Sequence, residues 1–209
     1  MGNDDMMAAI LLFELICSED TWKRITMLQD GLPTMEWGNG DLASKMGHIG
    51  LLKLHSTFMN FSTLAMDFAC EENKLPVVEY LHLSRLEGCT GGAMYGASKR
   101  GHLDIIKWLH SNRQEAPTSA AADAAARYGH LEVLEWLLSN RSEGCTKSAM
   151  DGAIAEGHLP VVEFLHRNRS EGCSGKGIDT AARNGHLLVL EWVYKHRPER
   201  SPGGALRAA

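Results

Sequence analysis

Gly101-His102-Leu103-Asp104-Ile105-Ile106-Lys107-Trp108-Leu109 returns 28 residues later as Gly129-His130-Leu131-Glu132-Val133-Leu134-Glu135-Trp136-Leu137. The frame recurs at Gly157-His158-Leu159 and Gly185-His186-Leu187. Self-similarity at a fixed period of this length marks a repeat solenoid rather than a compact enzyme domain. Stepping backwards puts Asn73-Lys74-Leu75 at the same phase and Gly47-His48-Ile49 after a two-residue deletion, so six units are expected.

Each unit reads as two helices around a tight turn. In the first helix Ala149, Met150, Ala153 and Ile154 follow the i, i+1, i+4, i+5 spacing of a narrow apolar stripe. Glycine then supplies the left-handed backbone that ends the helix. The second helix carries Leu159, Val161, Val162, Phe164 and Leu165 around most of its circumference, so neighbouring units must bury it. Pro76 and Pro160 sit in its first turn, where a missing N–H breaks no helical bond. Between units run loops such as Glu87-Gly88-Cys89-Thr90 and Glu143-Gly144-Cys145-Thr146, whose hydroxyl residue stands where it could cap the next helix.

Composition narrows the function classes. With 209 residues, a net charge of −5 and a pI near 6.0, the chain lacks the clustered basic charge that nucleic acid or an anionic membrane surface requires. The apolar run Ala8 to Ile16 is broken by Glu14 and follows Asp4 and Asp5, unlike a secretory signal or a membrane span. Met1-Gly2 resembles a myristoylation start, but Met6 stands where Ser or Thr is wanted. Five cysteines suit reduced thiols, so a cytoplasmic protein is expected.

Repetition also disposes of the apparent catalytic inventory. His102, His130, His158 and His186 share one phase, which spreads them at roughly 10 Å per unit, whereas metal ligands converge to about 2.0–2.3 Å of one ion. His82, His110 and His166 form a second row, expected near helix C-termini where positive charge is favourable. Cys89, Cys145 and Cys173 are too far apart for disulfides, and Cys70 falls at a core phase. Arg85, Arg113, Arg141, Arg169 and Arg197 each precede a Glu by two residues, and pairing within the loops is the expectation. Asp67, Asp123, Asp151 and Asp179, with Tyr95 as the exception, read as first-turn aspartates favoured by the helix dipole. No phosphate loop, nucleophile elbow, zinc-protease helix or dinucleotide fingerprint occurs. No catalytic residue, metal or cofactor is therefore expected.

The phrase Ala149-Met150-Asp151 through Gly157-His158-Leu159 to Phe164-Leu165 resembles the ankyrin repeat signature, in which Thr-Pro-Leu-His and a later Gly-His-Leu lead into an aliphatic second helix. The likeness spans about residues 38–197. It departs in period, since ankyrin repeats usually run to 33 residues with a projecting β-turn, and in having Ser148-Ala149-Met150-Asp151 for Thr-Pro-Leu-His. The fold class expected is all-α, an ankyrin-like helix-turn-helix solenoid with short loops and few or no β-hairpin fingers. Residues 1–37 are expected to form a helical cap, and repeats to occupy 38–63, 64–91, 92–119, 120–147, 148–175 and 176–197. Residues 198–209 are expected to form a tail or half-repeat, because Gly204-Ala205-Leu206 aligns with Gly92-Ala93-Met94.

The resemblance implies a non-catalytic scaffold that binds a protein partner in its concave groove. It also implies that the variable pair before each Gly-His turn faces that groove: Glu71-Glu72, Lys99-Arg100, Arg127-Tyr128, Ala155-Glu156 and Arg183-Asn184. The candidate partner-binding residues are Tyr95, Lys99, Arg100, Arg127, Tyr128, Glu156 and Arg183, facing an acidic or mixed peptide segment. A monomer is expected, with neither nucleic acid nor membrane as partner. The alternative is a segment of a longer repeat array with no binding site of its own.

Overall fold

The computed structural model describes residues 39–113, 119–168 and 172–196. The expected cap over 1–37 and the tail over 198–209 lie outside these residues, as do Arg169, Arg197, Glu115, Glu171 and Glu199. Twelve α-helices form six consecutive pairs among the described residues: α1 (Gly40–Met46) with α2 (Ile49–His55), α3 (Leu64–Glu71) with α4 (Leu75–Ser84), α5 (Gly91–Arg100) with α6 (Leu103–Asn112), α7 (Ser119–Arg127) with α8 (Leu131–Asn140), α9 (Lys147–Ala155) with α10 (Leu159–Asn168), and α11 (Gly175–Asn184) with α12 (Leu187–His196). No strand is present among them, so the fold is an all-α repeat solenoid.

Local chemistry sets the helix ends. Thr90, Thr146 and Ser174 adopt extended backbone and their hydroxyls accept the N–H groups of Gly92, Ser148 and Lys176. Gly101, Gly129, Gly157 and Gly185 take φ near +80° and reverse the chain into the second helix, while Asn73 does the same at +57°. Pro76 occupies the first turn of α4.

Each first helix packs against the next in chain order, and the second helices form a layer behind them. The front layer closes tightly because its inward positions are small: Ala93, Ala97, Ala121, Ala125, Ala149 and Ala153 are all buried. The second helices contribute paired aliphatics, Val77 and Val78, Ile105 and Ile106, Val133 and Leu134, Val161 and Val162, each nearly inaccessible. Burying one such side chain stabilises by about 1.5–3 kcal/mol.

Three rows of side chains tie unit to unit, and two of them add to the sequence reading. Asp67 stands in the first turn of its helix, and the aspartate row also bonds across the unit boundary. The two carboxylate oxygens of Asp67 accept the Thr90 N–H at 2.8 Å and the Thr90 hydroxyl, and Asp123 does the same for Thr146, Asp151 for Ser174 and Asp41 for Ser62. A carboxylate on one unit thus pins the residue that caps the next. His82 and His110 stand in the last turn of their helices, as expected, and each also meets an arginine of the next unit. A guanidinium can only donate, so the Nδ1 of His82, 3.1 Å from Arg113, and that of His110, 3.3 Å from Arg141, must be acceptors. The same imidazoles meet the following unit's indole edge-on, His82 with Trp108, His110 with Trp136 and His166 with Trp192, at 5.1–5.2 Å between ring centres. Where this row has leucine instead, at Leu138, the following aromatic is Phe164 rather than tryptophan.

The third row behaves as expected. The Nε2 of His102 donates to the Glu71 carbonyl and that of His130 to the Lys99 carbonyl, both at 3.0 Å. The rings of His130, His158 and His186 also lie on the glycine one unit back. A Cβ on Gly101 would come within 2.6 Å of His130, and Gly129 and Gly157 stand in the same relation to His158 and His186. The turn glycine therefore supplies both a positive φ and a seat for the next imidazole. The loop pairs Arg85 with Glu87 and Arg141 with Glu143 form as expected.

Candidate functional site

The first helices α5, α7, α9 and α11 enclose an open hollow of about 420 Å³. Its floor is made of small residues, Ala120, Ala124, Gly152, Ala155 and Gly177. Two of these are glycine because the helices approach closely. A Cβ on Gly152 would lie 2.8 Å from the Arg127 side chain, and one on Gly177 would lie 2.8 Å from the Asp151 carbonyl oxygen. Larger polar side chains stand around this floor: Tyr95, Arg127, Glu156 and Lys176. Asp123 and Asp151 also line it, with their carboxylates engaged by Thr146 and Ser174.

The seven residues singled out from the sequence separate into groups. Tyr95, Arg127 and Glu156 line the hollow. Arg127 and Glu156 form an ion pair at 3.4 Å, and the guanidinium lies 6.0 Å from the centre of the exposed Tyr128 ring. Lys99 and Arg100 face the preceding unit instead. Lys99 pairs with Glu71 at 3.0 Å, and Arg100 lies 3.6 Å from both Glu71 and Glu72. The hydrogen bond from Lys99 holds the Glu71 carboxyl below its ordinary range and in turn raises the Lys99 ammonium. The Glu71-Glu72 and Lys99-Arg100 pairs therefore neutralise each other across one unit boundary. Arg183 is exposed and, among the described residues, bonds within its own helix, to the Asp179 carbonyl and the Thr180 hydroxyl, both at 3.4 Å.

Tyr95 stands out for what it gives up. Its phase otherwise holds Asp67, Asp123, Asp151 and Asp179, and the first three of these pin a loop 23 residues later. Thr118 follows Tyr95 at that spacing, yet the carboxylate is replaced by a phenol that is 42 % exposed. Sequence reading passed over Lys176 and Thr180. Lys176 shares its phase with Gly92, Ala120 and Ser148, so an exposed charge among small residues was the available signal.

The family described as "Ankyrin repeats (3 copies)" matches residues 66–151 and, in an overlapping register, 93–176. More than half the chain is covered. The chain belongs to the ankyrin-repeat family. No curated protein matches it. Ankyrin repeats generally act as protein–protein interaction modules, and the family is typically a non-catalytic scaffold. Compared with the usual 33-residue ankyrin unit, the loops over 85–90 and 141–146 are short and carry no hairpin. Among the described residues no helix is long and apolar enough to cross a membrane.

Proposed function

We propose that this ankyrin-repeat protein is a non-catalytic binding scaffold whose hollow over α5 to α11 holds a segment of a partner protein. The observation that carries this reading is Tyr95, where a stabilising inter-unit carboxylate is traded for an exposed aromatic beside the hollow. Tyrosine and arginine are characteristic anchors of protein interfaces, and Arg127 and Tyr128 stand on the neighbouring unit. Lys99 and Arg100 contribute less to recognition, being held by Glu71 and Glu72. The protein works in a reducing compartment, the cytoplasm, a reading supported by the odd total of five cysteines and by the burial of Cys70, Cys89, Cys145 and Cys173.

The test is Tyr95→Asp in the full chain, followed by crosslinking purification and mass spectrometry. Partners recovered with the wild type should be lost, while the urea midpoint stays level or rises because the variant restores the aspartate at this phase. Unchanged partners would count against the hollow as the binding surface.

A second reading, that the protein is a segment within a longer array, draws on the far end of the stack. Among the described residues no imidazole seats on Gly185, and Leu187 is 68 % exposed although Leu75, Leu103, Leu131 and Leu159 at its phase are half-buried.

A further inference from the structure

One row of the front layer has a geometry that specifies a ligand more narrowly than "a protein segment", and this inference rests on the binding reading above. The residues at the end of successive first helices are Glu71, Lys99, Arg127, Ala155 and Arg183, one per unit at 28-residue spacing. Lys99 is occupied by Glu71 at 3.0 Å. Among the described residues, the cationic groups left to a ligand in this row are then Arg127, 58 % exposed and shared with one oxygen of Glu156 at 3.4 Å, and Arg183, whose hydrogen bonds stay within its own helix. Between the two guanidinium groups stands Ala155, part of the small-residue floor of the hollow.

Packed helices lie about 8–10 Å apart, so the two arginines are separated by roughly 16–20 Å with Ala155 halfway. An extended peptide crossing this row must present a side chain at each step. A polyproline II helix rises about 3.1 Å per residue with three residues per turn, so every third side chain returns to the same face after about 9.3 Å. That period matches the helix spacing. A β-strand also reaches the required span in six residues, at about 3.3 Å each, but its third residue points to the opposite face and leaves Ala155 uncovered.

We propose that the row formed by Arg127, Ala155 and Arg183 binds a partner segment in the polyproline II conformation carrying two acidic side chains six residues apart, with an aliphatic side chain midway. The acidic groups meet the two guanidiniums, which bind carboxylates through paired donors. The middle side chain fills the space over Ala155 that a larger residue would occupy. Because the recognised pattern is symmetric, it reads alike in either chain direction.

Fluorescence anisotropy of the full-length protein with labelled synthetic peptides tests this. The probe is Glu-Pro-Pro-Leu-Pro-Pro-Glu, compared with peptides having the acidic residues four apart, with both replaced by Gln, and with the prolines replaced by Gly and Ser. The probe should bind at least about tenfold more tightly than each comparison peptide. Arg183→Glu should lose about tenfold, and a peptide ending in Lys should recover binding to that variant. Equal binding of all peptides, no binding of any, or an unaffected Arg183→Glu protein would overturn the proposal. If Tyr95→Asp removes the crosslinked partners while the peptides show no spacing preference, the hollow stands and this row falls. Should the spacing preference hold with Tyr95→Asp inert, the row stands without the aromatic.

Discussion

Gly101→Ala and Gly185→Ala make the same chemical change at the same backbone conformation, φ +79° and +77°, yet they should differ in cost by about 2 kcal/mol. Both pay for a Cβ in the left-handed region, about 1 kcal/mol. At Gly185 nothing among the described residues lies within 4 Å of the new atom, so the cost ends there. At Gly101 the Cβ would stand 2.6 Å from Nδ1 and 2.8 Å from Cε1 of His130. The ring must move, which breaks its 3.0 Å bond to the Lys99 carbonyl. Losing that bond costs about 0.5–1.5 kcal/mol, and overpacking adds about 1–3 kcal/mol. Urea unfolding followed by far-ultraviolet circular dichroism measures the difference. A third protein, His130→Ala with Gly101→Ala, isolates the cause: once the ring is gone, the glycine substitution should cost only about 1 kcal/mol. Equal destabilisation at Gly101 and Gly185, or full cost persisting without the imidazole, would refute the idea that the turn glycine seats the next unit's histidine.

Asp67→Ala removes a buried carboxylate that holds two donors of Thr90 and should destabilise by about 2–4 kcal/mol in the same assay, whereas Asp179→Ala, at an exposed carboxylate, should stay within about 0.5 kcal/mol. Burial holds His102 and His158 below the ordinary imidazole range. The unfolded chain therefore binds these protons more readily, so stability is full above about pH 6.5 and falls as pH drops through the folded-state values. The urea midpoint should decline from pH 7.5 to 5.5, and less so when both residues are glutamine; an increase on acidification would contradict the assignment. His110→Leu with Trp136→Phe reproduces the Leu138 and Phe164 combination found one unit later. A double-mutant cycle should therefore return a coupling of about 0.5–1.5 kcal/mol, and strict additivity would argue that the two rings are merely adjacent.

Much of the solenoid was legible because its determinants are local. Thr90, Thr146 and Ser174 announce helix starts through hydroxyls that reach N–H groups two residues away. The candidate site was legible only in part. The rule that irregular exposed positions carry recognition found Tyr95, Arg127 and Glu156, but it was applied only to the pair before the turn and one aromatic, and so missed Lys176. It also counted Lys99 and Arg100 as free charge, since nothing in their own unit signals that Glu71 and Glu72 of the preceding unit neutralise them.

From the order of residues alone came the 28-residue period, the pairing of helices and the left-handed glycine turns. These follow from bonds within a few residues and from phase arithmetic. Tertiary structure decided what each row of like residues is for. Asp67 reads as a first-turn residue, and only stacking brings Thr90, 23 residues away, onto both of its oxygens. His82 reads as a residue near a helix C-terminus, and only stacking brings Arg113, 31 residues away, to donate to it. The physical reason is that a side chain's role is set by the donors and acceptors it meets, and in a stack those belong to the next unit.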